Sequence, residues 1–203
     1  VWYNRYMNKE TIQQPPAGAP LSSLLKAKDF FVELIKIVLV SLAIIIPIRH
    51  FLIQPFYVKG ASMEPNFEDH EYLIIDEITY RFHVPQRWEI VVFRAPTEAQ
   101  QFFIKRIIGL PGETVSVKEG VVRVNGKSLD ETKYLSSDLH TQGDVMVTLK
   151  DNEYFVMGDN RNASYDSRLF GPINRTRIIG RTVFRGWPYD RIQWFETPVY
   201  DNR

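Results

Sequence analysis

A serine in a small-residue turn and a lysine embedded in an apolar run are the two residues of this sequence best suited to work together chemically. Ser62 stands in Lys59-Gly60-Ala61-Ser62-Met63-Glu64-Pro65, and Lys105 in Phe103-Ile104-Lys105-Arg106-Ile107-Ile108-Gly109-Leu110-Pro111-Gly112-Glu113. A serine hydroxyl is a weak nucleophile at neutral pH and needs a base to take its proton; a lysine can serve only where burial keeps its amine neutral. The flanks of Lys105 offer that burial. With a period of two, Phe103, Lys105 and Ile107 share one strand face, and Phe102, Ile104, Arg106 and Ile108 the other. Lys105 is therefore expected inward and neutral at working pH, with Arg106 pointing to water. Locally, an ordinary turn serine fits Ser62 as well as a nucleophile does, and solvent is the commoner fate of a strand lysine.

The elements that must hold this pair are strands. From Phe56 onward, short apolar or alternating runs are separated by turn residues: 56–59, 71–75, 90–93, 102–108, 114–117, 121–124, 146–149, 154–157 and 178–185. Lys118-Glu119-Gly120 and Asn125-Gly126 are suited to tight turns, and the first is expected to close a hairpin. The polar stretch Ser128 to Asp144 reads as a variable surface excursion.

Before the strands lie two segments of different character. Residues 1 to about 23 are polar and proline-containing and cannot bury enough apolar surface to fold alone, so 1–28 is expected to be a cytoplasmic tail. Phe30 to Ile53 is the most hydrophobic segment, but its uncharged centre, Ile37 to Ile48, makes only about 18 Å of helix. Spanning a bilayer requires the flanks to join, with Lys36 and Arg49 reaching opposite head-group layers and Glu33 within reach of Lys36 at i,i+3. No small-x-small site closes the run, which favours a retained anchor at 29–54 over a cleaved secretory segment. Arg5, Lys9, Lys26, Lys28 and Lys36 outnumber Arg49 and Lys59, placing the N-terminus inside and residues 55–203 outside the cytoplasm.

Composition narrows the chemistry. The net charge of +1 gives no electrostatic case for nucleic acid. Arg175, Arg177, Arg181, Arg185 and Arg191 are dispersed in strand-like sequence and read as a solvated strand face, with anionic lipid as the alternative contact. The absence of cysteine closes thiol chemistry and disulfides. His50, His70, His83 and His140 lack metal-ligand spacing, so neither metal nor cofactor is expected. Asp159 and Asp166 lack the paired Asp-Thr/Ser-Gly motifs of an aspartic protease.

Four boxes taken together resemble the bacterial type I signal peptidases, membrane-bound serine proteases with a Ser-Lys dyad. They are the Ser62-Met63 pair, Trp88-Glu89-Ile90-Val91-Val92-Phe93-Arg94, Lys105 with Gly109-Leu110-Pro111-Gly112-Glu113, and Gly158-Asp159-Asn160-Arg161-Asn162-Ala163-Ser164-Tyr165-Asp166-Ser167-Arg168. Ile178-Ile179-Gly180-Arg181 to Trp187-Pro188 is similar too. The resemblance implies a mainly β fold: a sheet-built catalytic core with a smaller β lobe inserted at about 115–150, behind one N-terminal transmembrane helix in the bacterial cytoplasmic membrane. It implies that Ser62 attacks and Lys105 is the general base, that Ser164 orients Lys105, and that Asp159, Arg161, Asp166 and Arg168 hold the loop. Some family members carry an oxyanion-donating serine two positions before the nucleophile; this chain has Gly60. A mainly backbone oxyanion site is expected, at which Gly60→Ser keeps or modestly raises the rate. The implied partners are signal-peptide-bearing preproteins, cut after small-x-small sequences, and membrane lipid. Phe56, Val58, Ile90 and Ile104 are candidates to close the specificity pockets. A self-cleaving repressor-type Ser-Lys protease is disfavoured because a tail and an apolar segment, rather than a DNA-binding domain, precede the serine.

Overall fold

The computed structural model describes residues 19–47, 54–97, 100–136 and 139–196. The first helix, α1 (Ala19–Pro47), is a unit by itself. It begins inside the segment expected to be tail, and its apolar residues from Phe30 to Ile46 are exposed around the helix. Among the described residues no helix is long and apolar enough to cross a membrane. Ile48 to Ile53, the remainder of the apolar run, and residues 1–18 of the expected tail lie outside the described residues, as do Arg5, Lys9 and Arg49.

The rest is mainly β. The strands are β1 (Gln54–Tyr57), β2 (Tyr72–Asp76), β3 (Ile90–Arg94), β4 (Phe102–Gly109), β5 (Thr114–Lys118), β6 (Val121–Val124), β7 (Lys127–Ser128), β8 (Val145–Thr148), β9 (Glu153–Met157), β10 (Ile173–Asn174), β11 (Ile178–Trp187) and β12 (Gln193–Trp194). Two single-turn helices, α2 (Thr79–Phe82) and α3 (Ser167–Phe170), interrupt them. The main sheet runs β1-β2-β11-β3-β4-β9-β10, with β12 paired to β11, and a second sheet runs β7-β6-β5-β8. Among the described residues every pairing is antiparallel.

Local chemistry accounts for the turns and the joint between sheets. Glu119 and Gly120 both take positive φ (55° and 80°), as do Asn125 and Gly126 (50° and 80°), so both two-residue hairpins are built on turns whose twist matches that of the strands. β3 is buried at Ile90, Val91, Val92 and Phe93, which explains its unbroken apolar run. Where β4 bulges between Ile107 and Gly109, the backbone passes so close to the second sheet that a Cβ on Gly109 would lie 2.3 Å from Val115. Val115, Val117, Val122 and Val124 pack there against Ile108, Phe155 and Met157.

Two expectations about charge fail. Arg106 is 7% exposed, because its strand face is covered by Tyr134, whose ring lies 4.0 Å from the guanidinium, and by Trp88, which accepts its hydrogen bond through the backbone carbonyl. The C-terminal arginines are likewise not a solvated face. Arg185 is buried against Glu71 at 2.9 Å, Arg191 pairs with Glu68 and Glu71, and Arg181 with Asp76 and Glu89. Arg175 and Arg177 donate to the Tyr80 and Ala95 carbonyls.

Candidate active site

The pairing pattern of β4 creates an opening. β3 pairs with the strand from Phe102 to Arg106, whereas β9, on the other edge, joins only at Arg106, Ile107 and Gly109. Among the described residues, the edge of Phe102 to Lys105 facing away from β3 has no partner strand. Beside it lies a cleft of about 220 Å³ with Phe56, Val58, Leu73, Val92 and Ile104 in its lining and with Ser62 and Lys105 as polar members. Ile90, expected with these, lines other cavities instead.

The turn bearing Ser62 is anchored from below. Met63 (1% exposed) and Phe67 sit in a core with Val58, Leu73 and Val92, and the Phe67 N–H donates to the Met63 carbonyl. From the other side Asn160 donates its backbone N–H to the Ser62 carbonyl at 3.1 Å and its Nδ2 to the Ala61 carbonyl at 3.0 Å. Asn160 went unrecognised in the sequence, because an asparagine in a Gly-Asp-Asn turn signals only turn chemistry. Among the described residues the Ser62 N–H donates no hydrogen bond.

Lys105 Nζ lies 2.7 Å from Ser62 Oγ and donates to the Ile104 carbonyl at 2.8 Å. The side chain is 3% exposed. Burial pushes its pKa down to about 8, while the Asp166 and Asp159 carboxylates act to raise it. Burial thus favours the neutral amine, and the two carboxylates favour the charged one.

The loop from Gly158 to Arg168 backs the pair. Asp159 accepts from Arg106 at both carboxylate oxygens (2.8 and 2.6 Å) and from Asn66 at 2.9 Å. Asp166 accepts from Arg168 and from the Gly158 N–H; burial acts to raise its pKa, but these donors hold it below the usual carboxylate range. Arg161 reaches away from the loop to Glu131 and Thr141. These are buried ion pairs that tie the loop to β4 and to the 131–141 segment. Surface pairs on a turn would have contributed little. Ser164 Oγ is buried and makes no bond to Lys105; its hydroxyl is among the groups that act to lower the Asp166 pKa. It is nevertheless close by: a Cβ on Gly158 would stand 2.2 Å from this oxygen and 2.3 Å from the Ser62 carbonyl oxygen.

Gly60 has φ +94° and its N–H donates to Asp69 Oδ1 at 2.8 Å. That conformation overturns the expectation for Gly60→Ser: a Cβ meets no atom, but an L-residue there is strained by about 1–2 kcal/mol. The expected result is a lower urea midpoint and a cleavage rate no higher than wild type; a rate increase at unchanged stability would restore the earlier reading.

Among the described residues no group of three His, Asp or Glu is arranged to hold a metal ion. The constellation is a hydroxyl, a buried amine of lowered pKa and an unengaged backbone N–H beside an apolar cleft, a set suited to acyl transfer.

Comparison with known proteins agrees with that chemistry. Residues 31–187 match the family described as signal peptidase, peptidase S26. The chain is 43% identical over 171 residues to a probable signal peptidase I-2 of Synechocystis, covering 81% of this chain and 77% of that one. It is 41% identical over 190 residues to a signal peptidase I of Leptolyngbya laminosa, covering 90% and 92%. A signal peptidase IB of Staphylococcus aureus is 34% identical over 188 residues, covering 84% and 97%. With the match extending across the serine turn, the lysine strand and the loop behind them, the chain belongs to the signal peptidase family, peptidase S26, and is a peptidase.

Proposed function

We propose that this peptidase removes signal peptides from exported preproteins, with Ser62 as nucleophile and Lys105 as general base. The observation that carries the reading is the 2.7 Å contact between Lys105 Nζ and Ser62 Oγ at the polar end of an apolar cleft. In the reactive form the amine is neutral and accepts the Ser62 proton as Oγ attacks the scissile carbonyl. The oxygen that becomes negative is met by the Ser62 N–H. Collapse of the intermediate expels the mature chain's amine, which takes the proton from Lys105 and leaves a Ser62 ester. Lys105, neutral again, deprotonates the water that hydrolyses it.

The substrate enters as an extended strand along the unpaired edge from Phe102 to Lys105, so that main-chain hydrogen bonds give affinity and the cleft reads side chains. Phe56, Val58 and Ile104 narrow the cleft, favouring small residues. The loop residues Asp159, Arg161, Asp166 and Arg168 hold the backing of the pair, and Ser164, close behind it, orients Lys105 once substrate shifts the amine.

Membrane attachment belongs to the same proposal. The apolar run from Phe30 to Ile53, which extends past the end of α1, anchors the protein with residues 1–28 in the cytoplasm. Residues 55–203 are the extracytoplasmic catalytic domain, with the second sheet as its inserted lobe. Protease added outside spheroplasts is expected to reach this domain, and carbonate is expected not to release the protein; full protection or release contradicts the topology.

The activity is tested by incubating detergent-solubilised protein with a precursor carrying an Ala-x-Ala site and sequencing the product's new N-terminus. Cleavage is expected directly after the second alanine, with none for Ser62→Ala. Unimpaired cleavage by Ser62→Ala rejects the mechanism.

A further inference from the structure

A tyrosine and a glutamate from outside the four sequence boxes stand behind the Ser62–Lys105 pair. Both come from the segment joining β7 to β8, whose polar composition suggests nothing but a solvated excursion. Tyr134 instead touches four parts of the protein. Its ring lies against the Arg106 guanidinium at 4.0 Å and edge-on to Trp88 at 5.2 Å. Its backbone carbonyl accepts from Asn66 Nδ2 at 2.8 Å, and the same nitrogen donates to Asp159. Its hydroxyl donates to Glu131 at 2.5 Å and accepts from Arg161 Nη2 at 3.2 Å.

Glu131 completes the clamp. Its carboxylate takes a forked pair of hydrogen bonds from Arg161, one of them at 2.8 Å, and Arg161 also donates to Thr141 at 2.7 Å and to the Gly158 carbonyl at 3.1 Å. Arg161 is 2% exposed, so its charge has no water to fall back on and depends on this carboxylate. Two lines of contact therefore run from this segment toward the reacting atoms. One passes through Arg161 to Gly158, against which Ser164 Oγ and the Ser62 carbonyl are packed. The other passes through Arg106, the residue next to Lys105, and through Asp159 to Asn160, which holds the carbonyls of Ala61 and Ser62.

We infer that Tyr134 and Glu131 are positioning residues for the Ser62–Lys105 pair, so that the segment between β7 and β8 sets the geometry of catalysis without touching substrate. The inference rests on the Ser-Lys reading above. Neither residue lines the cleft, so substrate binding is left alone while the distance between hydroxyl and amine is set from behind.

The test measures kcat, KM and melting temperature of the full-length protein in detergent for Tyr134→Phe, Tyr134→Ala, Glu131→Gln and Glu131→Gln/Arg161→Met, with Ser62→Ala and Lys105→Met alongside. Tyr134→Ala is expected to lower kcat about 10- to 100-fold, measured well below its melting temperature, with KM within about twofold of wild type. Tyr134→Phe keeps the ring and the backbone contact and is expected to retain most of the rate. Glu131→Gln leaves Arg161 unpaired and loses both stability and kcat. The double variant removes the stranded charge, so it regains melting temperature while kcat stays low.

Recovery of kcat together with stability in the double variant overturns the inference, as does a wild-type kcat for Tyr134→Ala. If Tyr134→Ala fails to fold, the double variant decides alone. Activity of Ser62→Ala or Lys105→Met overturns the Ser-Lys reading itself, whereas inactivity of both with unaltered Tyr134 and Glu131 variants overturns only the positioning role.

Discussion

Lys105→Met is expected to abolish peptide cleavage while leaving the folded protein as stable as wild type or more so. The methionine fills a similar volume without a charge to bury, and under the proposed mechanism the hydroxyl of Ser62 is left with no base. The stability effect follows from proton binding. The folded pKa is about 8, depressed from 10.5 by burial, so between these values the unfolded chain binds the extra proton and wild-type stability rises with pH. Below pH 8 the full cost is present, about 3 kcal/mol by that difference. Urea unfolding at pH 7, 9 and 10.5 is expected to give a wild-type curve climbing through this window and a flatter one for Lys105→Met. Lys105→Arg is also expected to be inactive, since a guanidinium stays charged at every accessible pH. Retained cleavage by Lys105→Met removes the lysine from the mechanism.

Gly158→Ala is expected to have the second-largest effect, for a steric reason. The added methyl would lie 2.3 Å from the Ser62 carbonyl oxygen, a backbone atom, and 2.2 Å from Ser164 Oγ. Ser164 has some freedom to turn away; the carbonyl moves only with the turn that carries Ser62. Overpacking of this kind costs about 1–3 kcal/mol, and a displacement near 1 Å at a reacting atom lowers the rate about 100-fold. The outcome to look for is a folded protein with a reduced melting temperature and a kcat lowered far more than KM is raised. Wild-type kinetics would mean that the loop behind Ser62 yields without consequence for catalysis.

The legible part of the fold was the part that periodicity encodes. All nine apolar or alternating runs became strands, because each is long enough to show alternation or an unbroken buried stretch. β7, β10 and β12 have two residues each, too few for a period, and α2 and α3 are single turns. The juxtaposition of Ser62 and Lys105 followed from residue chemistry only with the help of the later boxes. The surroundings were harder. Arg106 was misassigned because alternation assumes one solvated face, and here Tyr134 and Trp88 cover the second face. Arg185 was misassigned for a similar reason: its partner Glu71 is 114 residues away in sequence, and no local pattern announces a buried pair. Ser164 is beside the site without a bond to Lys105, a distinction of orientation that spacing cannot carry. Asn160 and Tyr134 act through backbone carbonyls and ring faces, which leave no signature in residue type.

The pH dependence of kcat/KM for a fixed precursor tests the account most directly, because it reports the ionisation of the free enzyme's essential base. A buried amine serving as base requires the rate to climb with pH through a midpoint at about 8, and Ser62→Ala and Lys105→Met to lie at background throughout. A profile already level from pH 6 to pH 9, or the same climb persisting in Lys105→Met, would contradict it.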